Sequence, residues 1–353
     1  MTRKGKASGL LVGAFLVASA FAFLVPIQPA IAASLCGSTI TTSVTLTRNL
    51  NCAKVPAITI GTGGNLDCAG YTIIHRGPSV GAGVYLSSAT GVTVENCNVK
   101  GFLYGFYLSS SDSNTLTGNT ASSNTYGFFL VSSGSNTLDS NTASSNSFAG
   151  FFLSSSDSND VESNDASSNT NVGYFLFDSD TNTLSDNTAS ANEVGIALQS
   201  SSLNILSTNT ATGSSFGFYL FYSSDSNTLS TNTATSNSIG FYLTTSDTNT
   251  LTTNTASSNT YGFALDGSSS SNTVGGTGVG NTASSNSADG FYLGSSTSLN
   301  TLDDNASDSN GGYGYDDFSI GGGTSGTDNT YGGTTANTCS GNTTGSSSPA
   351  GLC

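Results

Sequence analysis

The sequence has no tryptophan, one histidine (His75), one methionine (Met1) and five prolines in 353 residues. Its charged fraction is 8%, against roughly a quarter in an ordinary soluble domain. All seven basic residues, Arg3, Lys4, Lys6, Arg48, Lys54, Arg76 and Lys100, lie in the first hundred positions, and from Gly101 to Cys353 there is no Lys, Arg or His. Phosphate backbones, polyuronates and anionic lipid heads are held by such cations. Their lack excludes nucleic acid as a partner and argues against any strongly anionic one. Ser, Thr, Asn and 43 glycines fill the space instead, a bulk composition that by itself reads as disorder.

The first 33 residues read as a secretory signal: a basic start, an apolar run from Leu10 to Val25, and Ala30-Ile31-Ala32 as the small-residue cleavage site. A retained anchor is the alternative, but the run is short against the roughly 20 residues that span a bilayer. Cleavage near Ala32 leaves four basic against 22 acidic residues, a net charge of −18, and no second apolar span follows. In an exported chain the six cysteines are expected as disulfides. Cys36, Cys52, Cys68, Cys97, Cys339 and Cys353 cluster at the two ends of the mature chain. Proximity favours Cys36–Cys52 and Cys339–Cys353, leaving Cys68–Cys97. No paired spacing of the C-x₂-C kind points to zinc.

A repeat organises what remains. Gly-aromatic-x-Leu recurs from Gly83 and Gly105 through Gly127, Gly150, Gly173, Gly195, Gly217, Gly240 and Gly262 to Gly290, at steps of 22 or 23 except the last, which is 28. Asn-Thr-Leu (as at Asn114) follows each leucine by six or seven residues, and Asn-Thr-Ala (as at Asn119) comes five residues later. Each period therefore holds three short strands, with no helical periodicity. Such units bury an apolar side only by stacking. The expectation is an all-β, single-stranded right-handed parallel β-helix of about 10–12 rungs. Residues 33–100 form the N-terminal cap and first rungs, 101–310 the regular repeats, and 311–353 an irregular Gly-rich end with a disulfide cap. Period-two alternation places Phe106, Phe128, Phe151, Phe218, Phe241, Phe263 and their leucines inward. The asparagine columns Asn114, Asn136, Asn159, Asn182 and Asn119, Asn141, Asn164, Asn187 read as amide ladders. The Gly-rich insertion between Val274 and Asn281 reads as a protruding loop.

These reiterated motifs resemble the right-handed parallel β-helix superfamily of carbohydrate-binding proteins and sugar hydrolases, over roughly residues 60–310, and Leu66-Asp-Cys-Ala-Gly-Tyr-Thr-Ile73 is similar to that group's first-rung motif. The resemblance implies lyases, hydrolases, a copper-loading maturation factor of nitrous oxide reductase, and surface proteins without catalysis. Lyases of this group use an Arg base beside calcium, whereas the mature-chain arginines here, Arg48 and Arg76, sit near the N-terminal end. Copper transfer needs soft and imidazole ligands, which one His and an initiator Met do not supply. Hydrolases use clustered aspartates, for which the candidates are Asp303, Asp304, Asp316 and Asp317, without a basic or His partner nearby.

A column of turn aspartates, Asp112, Asp157, Asp180, Asp225 and Asp247, either caps backbone amides or gathers calcium; turn capping is the reading preferred. The outward residues of Gly-aromatic-x-Leu are Tyr85, Tyr107, Phe129, Phe152, Phe175, Tyr219, Tyr242 and Tyr292, with gaps at Ala197 and Ala264. An exposed aromatic stripe of this kind marks binding or lateral self-association. The threonine columns from Thr115 and Thr120 suggest ice binding, against which Asp160, Asp165 and Ile205 interrupt them. The expectation is an exported, surface or secreted, non-catalytic module for neutral glycans or a structural rod, with a glycoside hydrolase as the rival. No cofactor is expected apart from calcium.

Overall fold

The structure is a computed structural model in which residues 35–319, 329–332 and 336–353 are described. The proposed signal segment lies outside them. Each 22- or 23-residue period makes three strands that pair only with their counterparts one rung away, all in parallel. The result is a right-handed β-helix whose three sheets hold 14, 13 and 13 strands among the described residues. We call them sheets A, B and C in the order the chain meets them. A typical rung runs Tyr104–Ser109 in sheet A, Thr115–Thr117 in B and Thr120–Ser122 in C. The irregular ends continue the same stack. The insertion after Val274 is a surface turn closed by the Val279 N–H donating to Gly276 O at 2.9 Å, and the register recovers at Thr255↔Thr282.

A regular rung buries four apolar side chains, such as Phe106, Leu108, Leu116 and Ala121, beside its buried Asn and Ser, so the core is a set of columns. Phe106, Phe128, Phe151 and Tyr174 stack at centroid spacings of 4.6–4.8 Å and within 6° of parallel. The column breaks at Ile196 and resumes from Phe218 to Tyr315. Sheet B contributes leucines and sheet C alanines, all buried.

The repeated glycine answers to this geometry. A Cβ on Gly127 would come within 2.5 Å of Gly150 O and 2.9 Å of Ala143 Cβ. Gly and the Ala of Asn-Thr-Ala are thus one steric solution, in which sheets A and C meet too closely for anything larger.

The turns are held by buried asparagines. Both expected ladders are present, with each Nδ2 donating to the next Oδ1 at about 3 Å. A third ladder through Asn124, Asn146 and Asn169 and a serine ladder through Ser111, Ser133 and Ser156 were not anticipated. The residue before these asparagines adopts the left-handed region, for example Ser113 at φ 58°, Ser140 at 55° and Ser145 at 55°. Short polar residues tolerate that conformation best.

The three disulfides are Cys36–Cys52, Cys68–Cys97 and Cys339–Cys353. They tie the first rungs and the last one. Among the described residues no helix is long and apolar enough to cross a membrane.

Candidate functional site: the outer face of sheet A

Alternation along each sheet A strand puts the middle residue of Gly-aromatic-x-Leu on the outer face, where Tyr85, Tyr107, Phe129, Phe152, Phe175, Tyr219, Tyr242 and Tyr292 are all part-exposed. The register continues the column through Ala197 and Ala264, then ends on Asp316 and Ser348. Beside it runs a second column, missed in the sequence, made by the residue preceding each glycine: Tyr104, Tyr126, Phe216 and Tyr261. The Tyr-Gly and Phe-Gly dipeptides were its signal. The two columns interlock, as in Tyr104 with Phe129 at 5.0 Å and Phe216 with Tyr242 at 5.5 Å.

Within the main column the rings lie against one another. Tyr219 and Tyr242 are 5.2 Å apart and 6° from parallel, Phe152 and Phe175 are 4.9 Å apart and 8° from parallel. Ring faces are therefore largely covered by the neighbouring rings. Burial raises the phenol pKa of Tyr104, Tyr219 and Tyr242 above the ordinary value, so these groups are neutral hydrogen-bond donors across the physiological range.

The face ends in carboxylates. Asp316 follows Tyr292 in the column, and Asp289 occupies the position before Gly290, in the adjacent column. Asp289 accepts the Tyr313 N–H at 2.6 Å. Asp316 is 6% exposed and its Oδ1 has no hydrogen-bond partner. Desolvation, then the charge of Asp289, pushes the Asp316 carboxyl up to about 6.

Asp316 and Asp317 do not face each other, since neighbours on a strand point to opposite sides. Asp317 stands in the leucine column, accepting the Ser319 N–H at 2.8 Å and the Tyr331 hydroxyl at 2.7 Å. Asp303 lies at the end of a sheet B strand, and Asp304 follows it in a turn where it accepts the Gly278 N–H at 2.7 Å. The four candidate aspartates therefore form no single cluster; the carboxylate that joins Asp316 is Asp289, from the preceding rung.

The turn aspartates cap. Oδ1 of Asp112, Asp157, Asp180, Asp225 and Asp247 each accepts a backbone N–H of the following rung at 2.6–2.8 Å. Among the described residues no three His, Cys, Asp or Glu side chains are grouped to hold a metal.

Matches to the family described as "Periplasmic copper-binding protein (NosD)" cover residues 65–233, 167–276 and 208–343. The chain belongs to the NosD family. Among solved structures, a point mutant of the periplasmic alginate epimerase AlgG is similar with 15% identity and a TM-score of 0.57, over 74% of this chain and 70% of that one. The A-module of Azotobacter vinelandii mannuronan C-5 epimerase AlgE4 is similar with 15% identity and a TM-score of 0.55, over 88% of each chain. These likenesses are of fold. No curated protein matches the chain.

The copper in the NosD family description does not fit the donors of this member. Copper selects thiolate, thioether and imidazole. Here all six cysteines are in disulfides, the sole imidazole, His75, has Nδ1 at 2.8 Å from Cys52 O, and the sole methionine is residue 1.

Proposed function

We propose that this NosD-family chain is an exported, extracytoplasmic rod that binds neutral polysaccharide, without cleaving it, along the outer face of sheet A. One observation carries the reading: among the described residues, only the outer face of sheet A bears columns of part-exposed rings, interrupted at Ala197 and Ala264, while the outer positions of sheets B and C are chiefly Thr, Ser, Asn and Asp. Apolar faces of this extent mark interaction surfaces. With no base from Gly101 onward, the surface suits an uncharged ligand. Residues 1–33 supply the export signal in this reading.

The test is retention of the mature protein in gels containing a neutral β-glucan, galactomannan or starch. Tyr107→Ala, Tyr219→Ala and Tyr242→Ala together should cut retention by at least tenfold. Release of shortened sugars by the wild-type protein, or unchanged retention by the triple variant, overturns the reading.

A hydrolase is the second reading, favoured by the buried, protonatable Asp316 beside Asp289 at the end of the aromatic face. It requires cleavage that Asp316→Asn abolishes and the tyrosine replacements only weaken.

A further inference from the structure

The aromatic column breaks at Ala197, and the break is a hollow. Phe175 precedes it and Tyr219 follows it in the register. Across two rungs, roughly 9.6 Å, no ring of the main column intervenes. The adjacent column is small in the Ala197 rung and the two rungs before it, with Ala149, Val172 and Val194 standing where Tyr126 and Phe216 lie on either side. Two columns losing bulk together leave a cleft of about 250 Å³. Its floor is Ala197, Val172 and Val194, its walls are aromatic, and Asn171 and Glu193 stand on its rim. Phe221 leans in from the side, stacked on Tyr219 at 4.4 Å and facing Phe175 at 6.5 Å.

Outside the breaks at Ala197 and Ala264 the rings of this face cover one another, and at Ala197 an aromatic wall and an apolar floor stand open together. The volume falls below the roughly 300–1,000 Å³ of pockets for drug-sized ligands, which suits one ring and not a run of several sugars. An apolar floor with a carboxylate and an amide at the edge matches a pyranose, whose C–H face is apolar and whose hydroxyls lie at its rim. Glu193 is an acceptor for hydroxyls and repels an acidic sugar. We propose that the Ala197 hollow is the specificity subsite of this face, taking a single neutral pyranose unit with Asn171 and Glu193 on its hydroxyls. The inference rests on the glycan-binding reading of sheet A.

The experiment compares wild type, Ala197→Phe and Glu193→Gln in the polysaccharide gels above, followed by isothermal titration with a neutral hexasaccharide of the polysaccharide that retains the protein best. Ala197→Phe fills the hollow and rejoins the ring column, so its thermal midpoint should be equal or higher while affinity falls at least tenfold. Glu193→Gln, at an exposed turn position, should leave the midpoint unchanged and weaken binding three- to tenfold. Wild-type affinity in both variants would overturn the subsite and leave the sheet A face standing. Failure of the wild-type protein to be retained by any of the polysaccharides would overturn both. If Ala197→Phe misfolds, Glu193→Gln decides alone.

Discussion

A single carboxamide oxygen, Oδ1 of Asn159, accepts two hydrogen bonds from Asn136 one rung earlier, from its backbone N–H at 2.9 Å and from its Nδ2 at 3.1 Å. Asn159 Nδ2 in turn donates to Ser133 O at 3.1 Å. Its own N–H and Nδ2 donate in the same way to Asn182 Oδ1 in the next rung, at 2.8 and 3.1 Å, so the ladder ties this turn to both neighbours. Replacing Asn159 with Ala leaves the buried Asn136 N–H and Ser133 O without these partners, at about 1–3 kcal/mol for each group left unmet, while Asn136 Nδ2 keeps Ser111 O at 2.9 Å. Asn159→Ala should lose roughly 2–5 kcal/mol in guanidinium unfolding, whereas Ser144→Ala on the outer face of sheet C should stay within about 0.5 kcal/mol. Equal effects would mean that the ladder adds nothing beyond its residues' volume.

The third ladder contains one substitution that points the other way. Ser214 takes an asparagine position, its hydroxyl buried without a partner, and its N–H still donates to Asn237 Oδ1 at 2.9 Å. Gly213 before it has φ 69°, the conformation that precedes asparagine elsewhere. Ser214→Asn should therefore complete the column through Asn192 and raise stability by about 1–2 kcal/mol, a net gain on the scale of one or two hydrogen bonds. A lower unfolding midpoint would show that the site has adapted to serine.

Gly127 tests the packing of sheet A on sheet C. An added methyl meets backbone oxygen and the Ala143 methyl with no room to shift. Gly127→Ala should cost about 1–3 kcal/mol, the usual range for overpacking, with partial recovery in the Gly127→Ala, Ala143→Gly double variant. A neutral single variant would contradict the close approach.

The Asp316 carboxyl has a folded-state pKa of about 6, above its ordinary value of 3.8. The folded chain thus binds this proton more tightly than the unfolded chain. Stability from it is fully present below about pH 4 and is lost as pH rises toward 6 and beyond. Asp289, raised by burial, acts in the same direction. Thermal midpoints measured from pH 4 to pH 7 should fall more steeply for wild type than for Asp316→Asn. Parallel curves would place Asp316 in a solvated environment.

Copper binding can be measured directly. The mature protein, incubated with cuprous and cupric ions and desalted, should retain well under one copper per chain, because neither free thiolates nor a second imidazole exists to compete for the ion. Stoichiometric copper would reveal a donor set that the disulfides and His75 do not provide.

Much of this was legible because the rod repeats. A 22- or 23-residue spacing fixes which residues share a column, and period-two alternation assigns Phe106 inward and Tyr107 outward. The serine ladder and the Asn124 ladder were just as periodic but hidden, since Ser-Asn recurs in many turns and local turn chemistry explains it equally well. The column of Tyr104 and Tyr126 was less legible, because the residue before the repeated glycine varies from Tyr and Phe to Ala, Val, Ile and Asp.

The sequence alone determined the columns, since parallel stacking in register places identical positions above one another whatever the side chains do next. Tertiary structure decided what each column presents. Sequence order cannot say that Tyr219 turns its face to Tyr242, that Asp289 meets Asp316 from the preceding rung, or that the small residues at Ala197, Val172 and Val194 open into one hollow. Those outcomes depend on side-chain direction and on contacts between adjacent columns, which exist only once the rungs are stacked.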